Sequence, residues 1–148
     1  MATTAARCSS IVITPDGGTA LTAVFPISCS IIRDDELVEK QFSDSRQKSY
    51  YAGAEVKGIT VTVCDLEFWE GLFKGKRVTT AVVKLESALD TDGTAHTEGD
   101  VVTATLTTGI VTEAVSMESS TDGNPVEYAI TIMLCRDTDG TEGTFAIS

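Results

Sequence analysis

The sequence predicts an all-β domain with one short helix, built as an antiparallel β-sandwich or a small barrel. Three observations predict it: β-branched and alternating apolar stretches recur, Gly-rich turns separate them, and one stretch alone changes to helical spacing. At 148 residues the chain suits a single domain, 1–148, long enough to bury its own core. Hydrophobic residues at 42% and charged residues at 22% are globular values, which exclude wholesale disorder and a collagen-like fibre.

The elements follow in order. Ser10 to Thr14 is a short apolar strand, and Pro15-Asp16-Gly17-Gly18 is turn chemistry, since Gly supplies the positive φ of tight hairpins. Ala20 to Arg33 is a strand region in which Pro26 demands a bulge, an edge or a break. Arg33 to Ser49 is polar and charged in both signs, with little strand pattern, and a short helix fits around Asp35–Phe42. A loop this long inside a compact domain is uncommon and marks function or disorder. Tyr50 and Tyr51 close it.

Gly58 to Val63 alternates, with Ile59, Val61 and Val63 on one face. The period then changes. Leu66, Trp69 and Phe73 stand at i, i+3 and i+7, which predicts a helix of roughly nine residues with that face in the core. Asp65 suits its N-cap, Gly75 its C′ position, and Lys74, Lys76 and Arg77 its negative end. Val78 to Leu85 is strand, 90–99 is loop, and Val101 to Met117 is predicted as two strands broken near Gly109. Ser119 to Pro125 turns. Val126, Tyr128, Ile130, Ile132 and Leu134 alternate as a strand, Asp137 to Gly143 turns again, and Thr144 to Ile147 is a last strand.

The net charge is −11, and it is lopsided. Residues up to Leu85 carry ten bases and ten acids, whereas the remainder carries twelve acids and one base, Arg136. Such a chain repels phosphate backbones and anionic membranes. No apolar run reaches the ~18 residues of a membrane helix, and the N-terminus lacks the pattern of a secretory leader. No membrane anchoring is expected. The cysteines, Cys8, Cys29, Cys64 and Cys135, show no C-x-x-C spacing, so a zinc site is disfavoured and reduced thiols in a cytosolic compartment are expected.

Catalytic signals are weak. The single histidine, His96, has no evident nucleophile partner. Gly71 to Arg77 lacks the spacing and the Ser or Thr of a phosphate loop. The repeated Asp-Thr-Asp-Gly-Thr at 90–94 and 137–141 fits hairpin turns better than calcium loops. Lys74, Lys76, Arg77 and Lys84 form a small basic cluster that suits a solvated helix end or an acidic neighbour, including another copy of the chain. No enzyme and no cofactor are expected.

The order strand, short helix, strand, long β hairpin resembles the tail-tube proteins of long-tailed bacteriophages and contractile injection systems. Gly58-Ile-Thr-Val-Thr-Val-Cys-Asp-Leu-Glu-Phe-Trp-Glu-Gly-Leu-Phe-Lys-Gly75, Val78–Leu85, Thr107–Val115 and Glu127–Leu134 carry the resemblance, over about half the chain from Lys57 to Cys135. It implies a β-sandwich or half-barrel subunit of a virion tail, assembled in a host cytoplasm, that forms sixfold rings stacked into a tube. Genomic DNA would pass through the bore without specific binding, and other virion tail proteins would be partners. The long loop at about 33–51 would then reach the next ring. Its interface candidates are Arg33, Asp34, Asp35, Glu36, Glu39, Lys40, Phe42, Arg46, Lys48, Tyr50 and Tyr51. Glu113, Glu118 and Glu127 are candidates for lumen charge. Two other classes fit the residues: a head decoration, tail-terminator or baseplate protein, and a β-sandwich binding module using Trp69 or Tyr50 and Tyr51 as stacking platforms.

Overall fold

The computed structural model describes residues 5–87, 100–114 and 121–148. The strands are β1 Ala5–Pro15, β2 Leu21–Thr22, β3 Pro26–Arg33, β4 Leu37–Lys40, β5 Ser49–Ala52, β6 Lys57–Val63, β7 Arg77–Ser87, β8 Asp100–Ala114, β9 Tyr128–Leu134 and β10 Thr144–Ile147; the helix is α1 Leu66–Gly71. The main sheet runs β2-β1-β7-β8-β9-β6-β3, with β10 also on β8, and every pairing is antiparallel. Only residues 23–25 separate β2 at one end of this order from β3 at the other, so the sheet curls into a barrel.

The barrel closes around one core. Inward positions recur with period two: Ile11 and Ile13 on β1, Ile59, Val61 and Val63 on β6, Ala81 and Val83 on β7, Ala104 and Leu106 on β8, and Ile130 and Ile132 on β9. β-branched side chains dominate because they pack well on a pleated, half-buried surface. Burial of this apolar area is the main stabilising term.

Pro26 opens β3, which bonds β6 through a register shift between Pro26 and Ser28. A proline is tolerated there because its nitrogen has no ladder bond to give up. β8 corrects the expectation of two strands: it is one strand of fifteen residues. The irregularity stands at Thr108, whose φ of 66° lies in the left-handed region, and the strand continues through it. β9 and β10 share one edge of β8, with Leu134 opposite Gly109 and Thr144 opposite Thr107. Residues 135–143 are looped out between them. That excursion is closed by an Arg136–Glu142 bridge and by Asp137, whose Oδ1 accepts from the Asp139 and Thr141 amides at 3.0 Å each. The second Asp-Thr-Asp-Gly-Thr is therefore a tight turn, with Gly140 at φ 91°; the first copy and His96 lie outside the described residues.

The helix is shorter than expected, six residues against roughly nine, and it buries the other face. Phe68 is 0% and Leu72 1% exposed, whereas Leu66, Trp69 and Phe73 are 48%, 37% and 56% exposed. The three residues assigned to the core thus lie at the surface, with Trp69 leaning on Tyr128 at a ring-centroid distance of 6.5 Å. Phe68 and Leu72 have the same four-residue spacing as Trp69 and Phe73, and the barrel mouth accepts the former pair. Asp65 stands at the N-cap but makes no side-chain cap bond. Gly75 lies beyond the helix in a turn at φ 92°, bonded through its amide to Val111 O, and no basic residue falls in the last helical turn.

Candidate assembly surfaces

The segment expected as an irregular loop or helix is a β-hairpin. β4 and β5 pair antiparallel, with Val38 opposite Tyr51 and Glu39 opposite Tyr50. This ribbon is not detached from the barrel. The β3–β6 ladder ends at Arg33 opposite Lys57, and the Asp34 amide then donates to Val56 O at 2.8 Å. The Glu36 amide donates to Ala54 O at 2.9 Å, and the Gly53 amide to Glu36 O at 2.8 Å, so Gly53 and Ala54 together oppose Glu36. The result is one long two-stranded arm with a one-residue bulge, a feature that bends and twists a ribbon.

The acidic run Asp34-Asp35-Glu36 is explained by this geometry. Asp35 Oδ1 accepts from the Val56 amide at 3.0 Å, and Glu36 Oε2 from the Ala54 amide at 3.4 Å. Lys57 sits between Glu55 Oε1 at 2.7 Å and Asp35 Oδ2 at 3.6 Å. The Glu55 hydrogen bond above all, helped by the Asp35 charge, holds its ammonium above the ordinary lysine range. These groups brace the root of the arm. Farther out, Glu39 and Lys48 form an ion pair across the hairpin.

All eleven residues assigned to the loop as interface candidates, Arg33 to Tyr51, are exposed. Sequence reasoning missed Leu37 and Val38, which are exposed beside Tyr50, Tyr51 and Phe42. The mirrored pairs Leu37-Val38 and Tyr50-Tyr51 around a polar stretch were the available hairpin signal. A two-stranded ribbon with five exposed large apolar side chains is marginal alone and suited to being covered.

A second apolar surface lies at the other end of β6. Asp65 Oδ2 and Oδ1 accept from the Val24 and Phe25 amides at 2.8 and 2.9 Å, and the Cys64 amide donates to Phe25 O at 3.2 Å. These bonds set exposed Val24 and Phe25 beside the start of α1, with Leu66, Trp69 and Phe73. Lys76 lies over the Phe73 ring at 5.9 Å. The helix surface adjoins the Val63 end of β6, and the arm leaves from the Lys57 end.

Glu127 precedes β9 and Glu113 lies on β8 opposite Thr131; both are exposed, near the helix end of the barrel. Burial, then the charges of Glu127 and Asp65, push the Cys64 thiol up. Glu118 lies outside the described residues. Of the basic cluster, Lys74, Lys76 and Arg77 follow α1, where Arg77 Nη1 donates to Arg136 O at 2.9 Å, while Lys84 stands farther along β7. Trp69 and the Tyr50-Tyr51 pair stand at opposite ends of β6, so they do not form one stacking platform. Among the described residues, no three His, Cys, Asp or Glu side chains are grouped to hold a metal, and no helix is long and apolar enough to cross a membrane.

No family model and no curated protein matches the sequence. Solved structures do match. One is a chain of the anti-feeding prophage baseplate, six-fold symmetrised, with TM-score 0.54 and 8% identity over 100% of this chain and 97% of that one. Another comes from the sheath/tube terminator of the extracellular contractile injection system PVC in its extended state, with TM-score 0.53 and 11% identity over 93% and 92%. The Hcp protein aligns with TM-score 0.51 and 15% identity over 95% and 97%. The chain thus has the fold found in Hcp and in contractile injection systems, as the resemblance in its sequence implied.

Proposed function

We propose that this chain is a structural subunit of a tail-like tube and that it associates head to tail with its own copies. The observation that carries the reading is the placement of two exposed apolar surfaces at opposite ends of β6: the arm at one end, and Val24, Phe25, Leu66, Trp69 and Phe73 at the other. A contact between two different surfaces of one molecule is heterologous, and repetition builds rings or open stacks. The fold shared with injection-system components supports the same reading.

In this reading the arm crosses to the next ring, rings are sixfold, and acidic side chains including Glu113, Glu118 and Glu127 line or rim the bore. A carboxylate wall repels phosphate, and a screening length of about 8 Å confines that effect to a narrow channel. DNA would slide through such a channel without adhering. A terminator or baseplate component is the second reading, favoured by the fold shared with a baseplate chain and a terminator structure. Such a component would form one finite ring, whereas a tube subunit would polymerise.

The test replaces residues 37–52 with a two-residue turn and compares sedimentation of both chains across concentration. The native chain should grow into large species, and the shortened chain should stay small with an unchanged circular dichroism spectrum. Equal self-association of both chains would overturn the role of the arm. Native growth that stops at a single ring would favour the second reading.

A further inference from the structure

The barrel has a seam. β1 hydrogen-bonds β2 through Val12 and Ile13, and the Ala23 amide reaches Ile11 O at 2.9 Å. Beyond Ile11, β1 packs beside β3 with no strand pairing between them among the described residues. A groove of about 400 Å³ opens there, with Arg7, Cys8 and Leu85 on one side and Pro26 to Cys29 on the other. Cys8 and Cys29, both half-buried free thiols, line it from opposite sides, one on β1 and one on β3, and both pack against the core. Cys8 Sγ also lies 3.7 Å from Ser10 O.

We infer that Cys8 and Cys29 are an oxidisable pair, which a peroxide converts into a disulfide stapling β1 to β3 across the seam. The two sulfurs have different roles. Burial, then the hydrogen bond to Cys8 and the Cys8 charge, pushes the Cys29 thiol up to about 12, so it keeps its proton at neutral pH. Attack on the oxidant falls to Cys8. Its sulfur takes one oxygen of hydrogen peroxide, the O–O bond breaks, and the other oxygen leaves as hydroxide, which takes up the Cys8 proton as water. Cys29 sulfur then attacks the Cys8 sulfenic acid, the S–O bond breaks, and the hydroxide leaves with the Cys29 proton as a second water. Two thiols and one peroxide give one disulfide and two waters.

The other two cysteines are placed differently. Cys64 stands by Asp65 and Glu127, whose negative charges disfavour its thiolate. Cys135 lies 4.0 Å from Arg77 Nη1 at the looped-out segment. The inference is independent of the tail-tube reading, since it concerns a bond within one subunit. Its consequence is a barrel with a free seam under reducing conditions and a closed one under oxidising conditions.

The test treats the folded full-length chain, and its Cys64→Ser/Cys135→Ser variant, with hydrogen peroxide. Free-thiol titration and peptide mass spectrometry follow under non-reducing conditions. Both chains should lose two thiols, yield a linked Cys8–Cys29 peptide within one subunit, and melt roughly 5 °C or more higher until dithiothreitol reverses the change. Cys8→Ser should abolish the linked peptide. Cross-links through Cys64 or Cys135, links between subunits, or survival of both seam thiols in either folded chain would overturn the inference. The Cys64→Ser/Cys135→Ser chain decides the matter even where Cys8→Ser fails to fold.

Discussion

Asp65 Oδ1 accepts a hydrogen bond from the Phe25 amide at 2.9 Å, while its Oδ2 takes the neighbouring Val24 amide at 2.8 Å. One carboxylate thereby joins the start of α1 to the crossing between β2 and β3, where the barrel closes. Bonds to a charged acceptor are stronger than neutral ones, but this pair is exposed and partly replaced by water on loss. Asp65→Ala should destabilise the chain by about 1–2 kcal/mol in urea unfolding. A change below about 0.3 kcal/mol would mean that the crossing holds without it.

The helix offers a contrast between adjacent residues. Phe68 is fully buried, and Phe68→Ala should cost about 3–5 kcal/mol through lost transfer energy and an unfilled cavity. Trp69→Ala should cost under about 2 kcal/mol, because the indole remains partly in water. Paired denaturation curves check both values. The reverse ranking would restore Trp69 to the core and remove it from the assembly surface.

Thr108 holds a left-handed φ of 66°, a conformation that crowds the Cβ of a β-branched residue. Thr108→Gly should therefore stabilise by up to about 1 kcal/mol in thermal or urea unfolding, after glycine's own entropy cost is subtracted. Gly143 beside it behaves oppositely. A Cβ there would stand 2.5 Å from Thr108 O, and Gly143→Ala should destabilise.

Asp139 in the looped-out turn is held down to about 2 by its hydrogen bond with Asp137 first and by those from Thr141 next. A folded value below the unfolded one means that this contribution is complete above the ordinary aspartate range. It fades as pH falls through about 2. Carboxyl carbon chemical shifts followed from pH 6 to pH 1.5 should place the Asp139 midpoint well under that of an unstructured aspartate. An ordinary midpoint would show that the turn does not persist in solution.

The parts legible in the sequence were those with one wet face and one dry face. β6 and β9 alternate because their inward residues pack on the core. The arm was misread for the opposite reason. Its two strands are exposed on both faces, so Leu37-Val38 and Tyr50-Tyr51 sit adjacent instead of alternating, and no period survives. The helical face was misassigned because Leu66, Phe68, Trp69, Leu72 and Phe73 surround a helix of under two turns. Only the shape of the barrel mouth selects which of them enter. β8 seemed broken because Gly109 is a common interruption, whereas close backbone packing against β9 requires that glycine within a continuous strand. The elements of the candidate site were thus visible as anomalies, but their placement at opposite ends of β6 needed the fold.

Negative-stain electron microscopy of the purified chain at increasing concentration tests head-to-tail assembly most directly. Ring-shaped end views with a central hole, and side views of rings joined by thin bridges that disappear when residues 37–52 are removed, are the expected images. Single small particles at every concentration, or rings that stack equally well without the arm, would contradict it.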